Sequence, residues 1–141
     1  MISGEAENIL LERFGADSVI SLATISQGIP MVRYVDAYYE DGAFYILTHA
    51  LSGKMQQIMQ NPNVAIAGEW FTAQGTGASL GGFAEDKNRT IAEKMRRVFA
   101  NWIDNGHTDL NDQHTCILRI KLEHGILFSH GRRFDLDFGE A

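Results

Sequence analysis

The sequence has little cysteine and little positive charge. Its 141 residues include one cysteine, Cys116, which excludes an intramolecular disulfide and a cluster of zinc-binding cysteines and suits a reducing compartment. Twelve Lys and Arg residues stand against 18 Asp and Glu residues, a net charge of -6. Because nucleic acid is bound largely through Lys and Arg, this balance argues against broad nucleic-acid binding. Any anionic ligand must therefore be held locally.

Long apolar runs are also missing, which predicts a protein without a membrane span. The first residues lack the basic-then-apolar order of a secretory signal, so we expect a cytoplasmic protein. The composition is 45% hydrophobic and 21% charged, as in ordinary globular proteins. The length predicts a single domain over residues 1–141.

Apolar periodicity predicts an α+β domain with a dominant antiparallel sheet, closed into a small barrel. Helices are expected from Ser3 to Gly15, from near Ser52 to before Asn61, and from Glu85 to about Asp104. The predicted strands cover 18–26, 31–39, 43–48, 63–76 and, as a final group, 114–128. A glycine-rich bend is expected over 75–82 and a turn or bulge at Gly125.

The segment from Leu47 to Lys54 joins a strand to a helix and predicts an anion site. The free amides and the positive end of the helix dipole favour a phosphate there, and Thr48, Ser52 and Lys54 add two hydroxyls and a cation. Arg33 lies on the neighbouring strand and can reach the same place. Alternatively, Ser52 is only a helix cap, and Lys54 and Arg33 are solvated charges. A first-turn lysine opposes the dipole by roughly 0.3–1 kcal/mol, a penalty that a bound anion would reverse.

Histidine and cysteine carry weaker signals. The five histidines show no metal-binding spacing, so we predict no metal site. His49 follows Thr48 and either touches the ligand or is a plain loop residue. Cys116 alternates with apolar neighbours and is predicted to be a small buried side chain rather than a nucleophile.

Several segments together resemble the pyridoxamine 5′-phosphate oxidase-like family of FMN-binding split barrels. They are Pro30-Met-Val-Arg33, Tyr45-Ile-Leu-Thr48, Ser52-Gly-Lys54 and Gln57-Ile58 up to Asn61-Pro62-Asn63-Val64. A strand ending in Thr, a Lys six positions later and an Asn-Pro after the helix form a more specific pattern than any single piece. The first half of the chain carries the resemblance, and the second half follows the order of elements.

The resemblance implies a six-stranded antiparallel split β-barrel with flanking helices. It also implies a homodimer with FMN at the subunit interface. Arg33 and Lys54 would bind the FMN phosphate together with Ser52 and Thr48. The backbone around Val35 and Leu47 would run beside the flavin ring, and Trp70 lies near a position that contacts the cofactor in relatives. Gly53, in the phosphate loop, replaces a basic residue that the oxidases often place before this lysine.

The end of the chain departs from the vitamin-producing oxidases, since it lacks their substrate-binding Arg and His and their Trp-containing tail. It therefore looks closer to the small general stress and nitroimidazole reductase-like relatives. The function implied is that of an FMN-dependent oxidoreductase acting on an unidentified small molecule, with no catalytic side chain assigned. Alternatives are a non-catalytic, stress-associated flavin binder, or a haem or deazaflavin binder on the same fold.

Overall fold

The computed structural model describes residues 2–139, which form seven strands, three α-helices and one short 3₁₀ turn, Asp86–Asn88. The helices are α1 (Gly4–Phe14), α2 (Gly53–Gln60) and α3 (Arg89–Val98). The strands are β1 (Ser18–Ser26), β2 (Ile29–Glu40), β3 (Ala43–His49), β4 (Asn63–Gly68), β5 (Phe71–Gly82), β6 (Thr115–Ser129) and β7 (Arg132–Asp137). No helix of the described chain is long and apolar enough to cross a membrane.

Six strands close into an antiparallel barrel. β1 pairs with β2 and β4, β6 pairs with β3 and β5, and the β2–β3 and β4–β5 hairpins complete the ring. β7 extends the sheet beyond this ring by pairing with β6. The predicted α+β split barrel with flanking helices is therefore confirmed.

Alternate side chains of each strand fill the barrel, as the two-residue period of a strand requires. Ile20, Leu22, Phe44 and Leu118 are buried there, and α1 adds Leu10 and Phe14. Burial of each large apolar side chain contributes about 1.5–3 kcal/mol. A second cluster, centred on Tyr38, Met95, Phe99 and Ile117, lies between α3 and the outer face of β2, β3 and β6.

Two predictions about the middle of the chain are wrong. Residues 63–76 are not one strand, because the chain turns at Glu69–Trp70 between β4 and β5, with Trp70 at a φ of 53°. The glycine-rich segment 75–82 is not a corner but the last eight of the twelve residues of β5. A Cβ at Gly75 would lie 2.2 Å from the Lys121 carbonyl oxygen, so this glycine permits close approach of β6 rather than a bend.

Two predictions about the last third also need correction. α3 ends at Val98, well before Asp104, although the following turns still bury Phe99 and Ile103. β6 runs through Gly125 without a turn, and its pairing with β5 shifts register at Glu123 and again between Ser79 and Gly82. The turn that the sequence analysis missed is at His130–Gly131, where both residues have positive φ and lead into β7.

Candidate anion-binding site at the barrel mouth

The site lies at the end of the barrel where α2 packs against β1 and β5. Ser52 is the N-cap of α2, and its hydroxyl accepts a hydrogen bond from the Met55 amide at 3.4 Å. Met55 and Ile58 are buried toward the barrel core and hold the helix across this opening. The predicted start of this helix near Ser52 is therefore confirmed.

Arg33 is held at this mouth by neutral acceptors. Its guanidinium donates to the Thr24 hydroxyl at 2.7 Å and to the Gln57 side-chain oxygen at 3.0 Å. Burial lowers the pKa of Arg33, although a guanidinium stays charged in proteins. Within residues 2–139 no carboxylate forms a salt bridge with Arg33. Its charge is therefore hydrogen-bonded but not neutralised.

Lys54 is the second cation of the site. Burial lowers the pKa of Lys54, and the nearby charge of Arg33 lowers it further. In the described part of the chain Lys54 also forms no salt bridge. Its place in the first turn of α2 adds repulsion from the helix dipole. Desolvation, the like charge of Arg33 and the helix dipole thus all disfavour the charged form of Lys54. An anion bound beside the ammonium group would offset these unfavourable effects.

The remaining residues of the predicted phosphate loop lie beside these cations. Thr48 is the penultimate residue of β3, opposite Cys116 of β6. Gly53 is the first residue of α2, so its amide and that of Lys54 lack intrahelical acceptors. A Cβ at Gly53 would meet only the Gln57 side-chain nitrogen, at 3.9 Å, so the backbone there is open to a ligand. The donor set of this loop suits a phosphate monoester.

Val35 and Leu47 border a gap between β2 and β3. Within the described residues the β2–β3 ladder runs only from Glu40↔Ala43 to Tyr38↔Tyr45. Beyond it, Val35 pairs with Ile20 of β1, and Leu47 pairs with Ile117 of β6. The β2–β3 ladder does not reach either residue, so within the described chain the backbone on the other edge of each strand has no strand partner there. The Leu47 side chain packs outward into the second cluster, so only its backbone borders this gap.

Trp70 is not brought to this site within one chain. It occupies the β4–β5 turn, and its ring contacts Phe128 edge-on at a centroid distance of 6.4 Å. α2 lies over the other end of β5, where Gly77 approaches Ile58. Seven residues of strand separate Trp70 from Gly77, which is about 23 Å. Trp70 therefore lies at the opposite end of the barrel.

Sequence analysis missed Thr24 and Gln57, the two residues that orient Arg33. Thr24 is buried, and the β1–β2 register places it two residue pairs beyond Leu22↔Arg33, on the same face. Its hydroxyl also donates to Gln57. Gln57 follows Lys54 at the i+3 spacing that places two side chains on one helix face. That spacing was a usable signal for Gln57, whereas Thr24 required knowledge of the register.

Cys116 has 3% of its surface exposed, and burial raises the pKa of its thiol. The predicted burial of this cysteine is thus confirmed. The fold is a split barrel with two cations, Arg33 and Lys54, at its mouth. The family model described as pyridoxamine 5′-phosphate oxidase matches residues 10–127, and the chain belongs to this family.

Solved structures with this fold carry several different descriptions. A nimC/nimA family protein from Clostridium acetobutylicum is 22% identical, with a TM-score of 0.68 and coverage of 96% of this chain and 95% of that one. An FAD-binding protein from Mesorhizobium loti is 18% identical, with a TM-score of 0.67 and coverage of 88% and 92%. The haem storage protein HutZ from Vibrio cholerae is 18% identical, with a TM-score of 0.69 and coverage of 93% and 99%.

General stress protein 26 structures share the fold as well. No curated protein sequence matches the chain. At these identities the structural likeness establishes the fold alone.

Proposed function

We propose that the protein is an FMN-binding flavoprotein and an oxidoreductase acting on a small molecule. The observation that carries the proposal is the pair of cations at the barrel mouth, Arg33 and Lys54, which lie close enough for the charge of Arg33 to lower the pKa of Lys54 and have no carboxylate partner in the described chain. Membership of the pyridoxamine 5′-phosphate oxidase family and the FAD-binding neighbour support a flavin.

The phosphate of FMN would lie between the Arg33 guanidinium and the Lys54 ammonium. A dianion there offsets the repulsion between the two cations and accepts charge-assisted hydrogen bonds from both. The hydroxyls of Thr48 and Ser52 and the amides of Gly53 and Lys54 supply further donors. A terminal phosphate monoester has the charge to satisfy this set, which favours FMN over a flavin that lacks a phosphate.

The ring of the flavin would lie along the gap between β2 and β3. Backbone groups near Val35 and Leu47 border this gap without pairing across it, and they can hydrogen-bond to the polar edge of a flat heterocycle. FMN, when bound, supplies hydride or electron transfer. The protein's part is to orient the ring and to exclude water from one side of it, and no side chain is assigned as an acid or base.

A second copy of the chain would complete the site as a homodimer. The outer face of β1 and β2 exposes a group of large apolar side chains, with Val32 72% exposed and Tyr34 79% exposed. Val19 lies on the same face, and the exposed Ile29 and Met31 lie on the alternate face of β2, on the side of Arg33. A contiguous patch of this kind is unusual on a monomer and is typical of an interface. Because β2 also carries Val35, the cofactor would lie at that interface.

The molecule that copurifies with the protein tests this proposal. We expect visible flavin absorbance, release of FMN on denaturation as identified by mass, and a molar mass in solution of twice that of the chain. Release of haem or a deazaflavin instead would identify that molecule as the cofactor and refute the assignment of FMN. A monomer that holds FMN would refute the interface but not the flavin site.

Anaerobic addition of NADH or NADPH tests the oxidoreductase activity. Bleaching of the flavin absorbance by either donor supports an enzyme. Persistent oxidised flavin with both donors would favour a non-catalytic flavin-binding protein.

A further inference from the structure

The fold brings together three residues with metal-binding side chains that are scattered along the sequence. His49 ends β3, while Asp112 and His114 lie in the segment before β6. One ligand atom from each lies within 4.8 Å of the other two. The Asp112 carboxylate lies between the rings, 3.5 Å from His49 Nε2 and 3.5 Å from His114 Nδ1.

Backbone hydrogen bonds hold this cluster in place. The Ala50 amide donates to the His114 carbonyl oxygen at 2.7 Å, which ties the loop after β3 to the segment before β6. The His114 amide donates to the Asp112 carboxylate at 2.8 Å. The buried Thr115 donates from its hydroxyl to the Asp109 carbonyl oxygen at 2.7 Å. The three side chains therefore project from a fixed backbone rather than from a free loop.

We propose that His49, Asp112 and His114 form a binding site for a divalent transition-metal ion such as Zn²⁺. Two imidazole nitrogens and one carboxylate oxygen are a donor set that zinc favours, whereas Mg²⁺ and Ca²⁺ favour oxygen ligands alone. Between a third and a half of each side chain is exposed, so a hydrated ion can enter and keep water as a further ligand.

The site must contract to bind the ion. Ligand atoms at ~2.0–2.1 Å from a tetrahedral zinc lie about 3.4 Å apart, compared with the 4.8 Å limit of the metal-free cluster. Side-chain rotations can close this difference because the rings are only partly buried.

Metal binding would change a specific hydrogen bond. The Leu51 amide donates to His49 Nδ1 at 3.2 Å, a geometry in which the ring carries its proton on Nε2, facing Asp112. When the metal takes Nε2, the ring proton moves to Nδ1, which can no longer accept from Leu51. The Leu51 amide therefore reports on occupancy of the site.

Zinc titration of the EDTA-treated, dialysed protein tests the site by calorimetry. We expect one Zn²⁺ per chain and a shift of the Leu51 amide signal by NMR. His114→Ala and Asp112→Asn should each weaken binding at least tenfold. Asp112→Asn retains the oxygen that accepts from the His114 amide, so it tests the ligand role if His114→Ala fails to fold.

His107→Ala is the matched control, because this histidine lies in the same segment but outside the cluster. It should bind zinc as the unmodified protein does. Absence of zinc binding, or binding that neither cluster variant weakens, would overturn the proposal, as would an equal loss in His107→Ala. His49 belongs to the segment 47–54, so bound flavin is followed by its absorbance during the titration, and zinc binding to cofactor-free protein tests the metal site separately from the flavin site.

Discussion

The Arg33 guanidinium on β2 and the Lys54 ammonium on α2 lie near one another at the barrel mouth, and their like charges repel. The charge of Arg33 lowers the pKa of Lys54, and burial lowers it more. Folding thus brings together two cations that repel, and Gln57 and Thr24 hold one of them there through neutral oxygens. This arrangement costs free energy in the empty protein and is expected to return it when an anion binds.

Removal of the Lys54 charge tests the phosphate site. Lys54→Ala should weaken FMN binding by about 1.5–3 kcal/mol, or roughly 10- to 150-fold in Kd, the usual contribution of a hydrogen bond to a charged group. The measurement is fluorescence titration of cofactor-free protein with FMN. Lys87→Ala removes an exposed lysine elsewhere and should leave Kd unchanged. Equal affinities for Lys54→Ala and the unmodified protein would remove Lys54 from the site.

A carboxylate placed beside Arg33 should compete with the phosphate. In Gln57→Glu the new carboxylate would accept from the same guanidinium and neutralise it internally. FMN binding should weaken about tenfold or more, while cofactor-free protein should unfold at a higher urea concentration. Gln56→Glu adds the same charge at the exposed neighbouring position of α2 and serves as the control. If Gln57→Glu and Gln56→Glu bind FMN with the same Kd, the contact between Gln57 and Arg33 has no part in phosphate binding.

The lowered pKa of Lys54 predicts a pH dependence of stability. Because the folded protein disfavours the ammonium form, the unfolded chain binds more protons between the lowered folded pKa and the ordinary value of 10.5. The unfolding free energy of cofactor-free protein should therefore rise with pH across that window, relative to Lys54→Met. Urea unfolding of both proteins at several alkaline pH values measures this difference. Parallel pH profiles would show that the environment of Lys54 does not disfavour its charge.

Gly75 tests the close contact between β5 and β6. Gly75→Ala would place a Cβ 2.2 Å from the Lys121 carbonyl oxygen and force the two strands apart. We expect a loss of about 1–3 kcal/mol in unfolding free energy, as for other overpacked sites. Gly4→Ala, where a Cβ has no neighbour within 4 Å, should show no such loss. An unaltered urea midpoint for Gly75→Ala would mean that the strands shift at little cost.

The sequence is most informative where local chemistry decides the structure. Ser52 caps α2 as its position before an apolar helical pattern predicts, and Asn61-Pro62 ends that helix. The turn at Trp70 was missed because the residues around it alternate like one long strand and only tertiary pairing fixes the reversal. β7 was missed because its turn, at His130–Gly131, follows an unbroken β6 of 15 residues.

Contacts between residues on different strands could not be predicted from the sequence either, because they depend on how the strands pair. Thr24 meets Arg33 only through the β1–β2 register, and His49 meets His114 only because β3 pairs with β6. Histidine spacing along the chain predicted no metal site. The closed barrel brings His49 close to Asp112 and His114, which come 63 and 65 positions later in the sequence. Spacing rules describe neighbours on one helix or strand and do not describe such contacts.

Because the β2–β3 ladder ends at Tyr38↔Tyr45, the rest of these two strands is unpaired with one another and forms a seam in the barrel wall. Two strand edges that face each other without bonding can pair with any extended peptide, including the same segment of another molecule. A ligand lodged in the seam would cover both edges at once. Newly made protein should therefore be most prone to aggregate and to be cleaved before its ligand arrives, so that the cell's supply of that ligand would set how much of the protein survives.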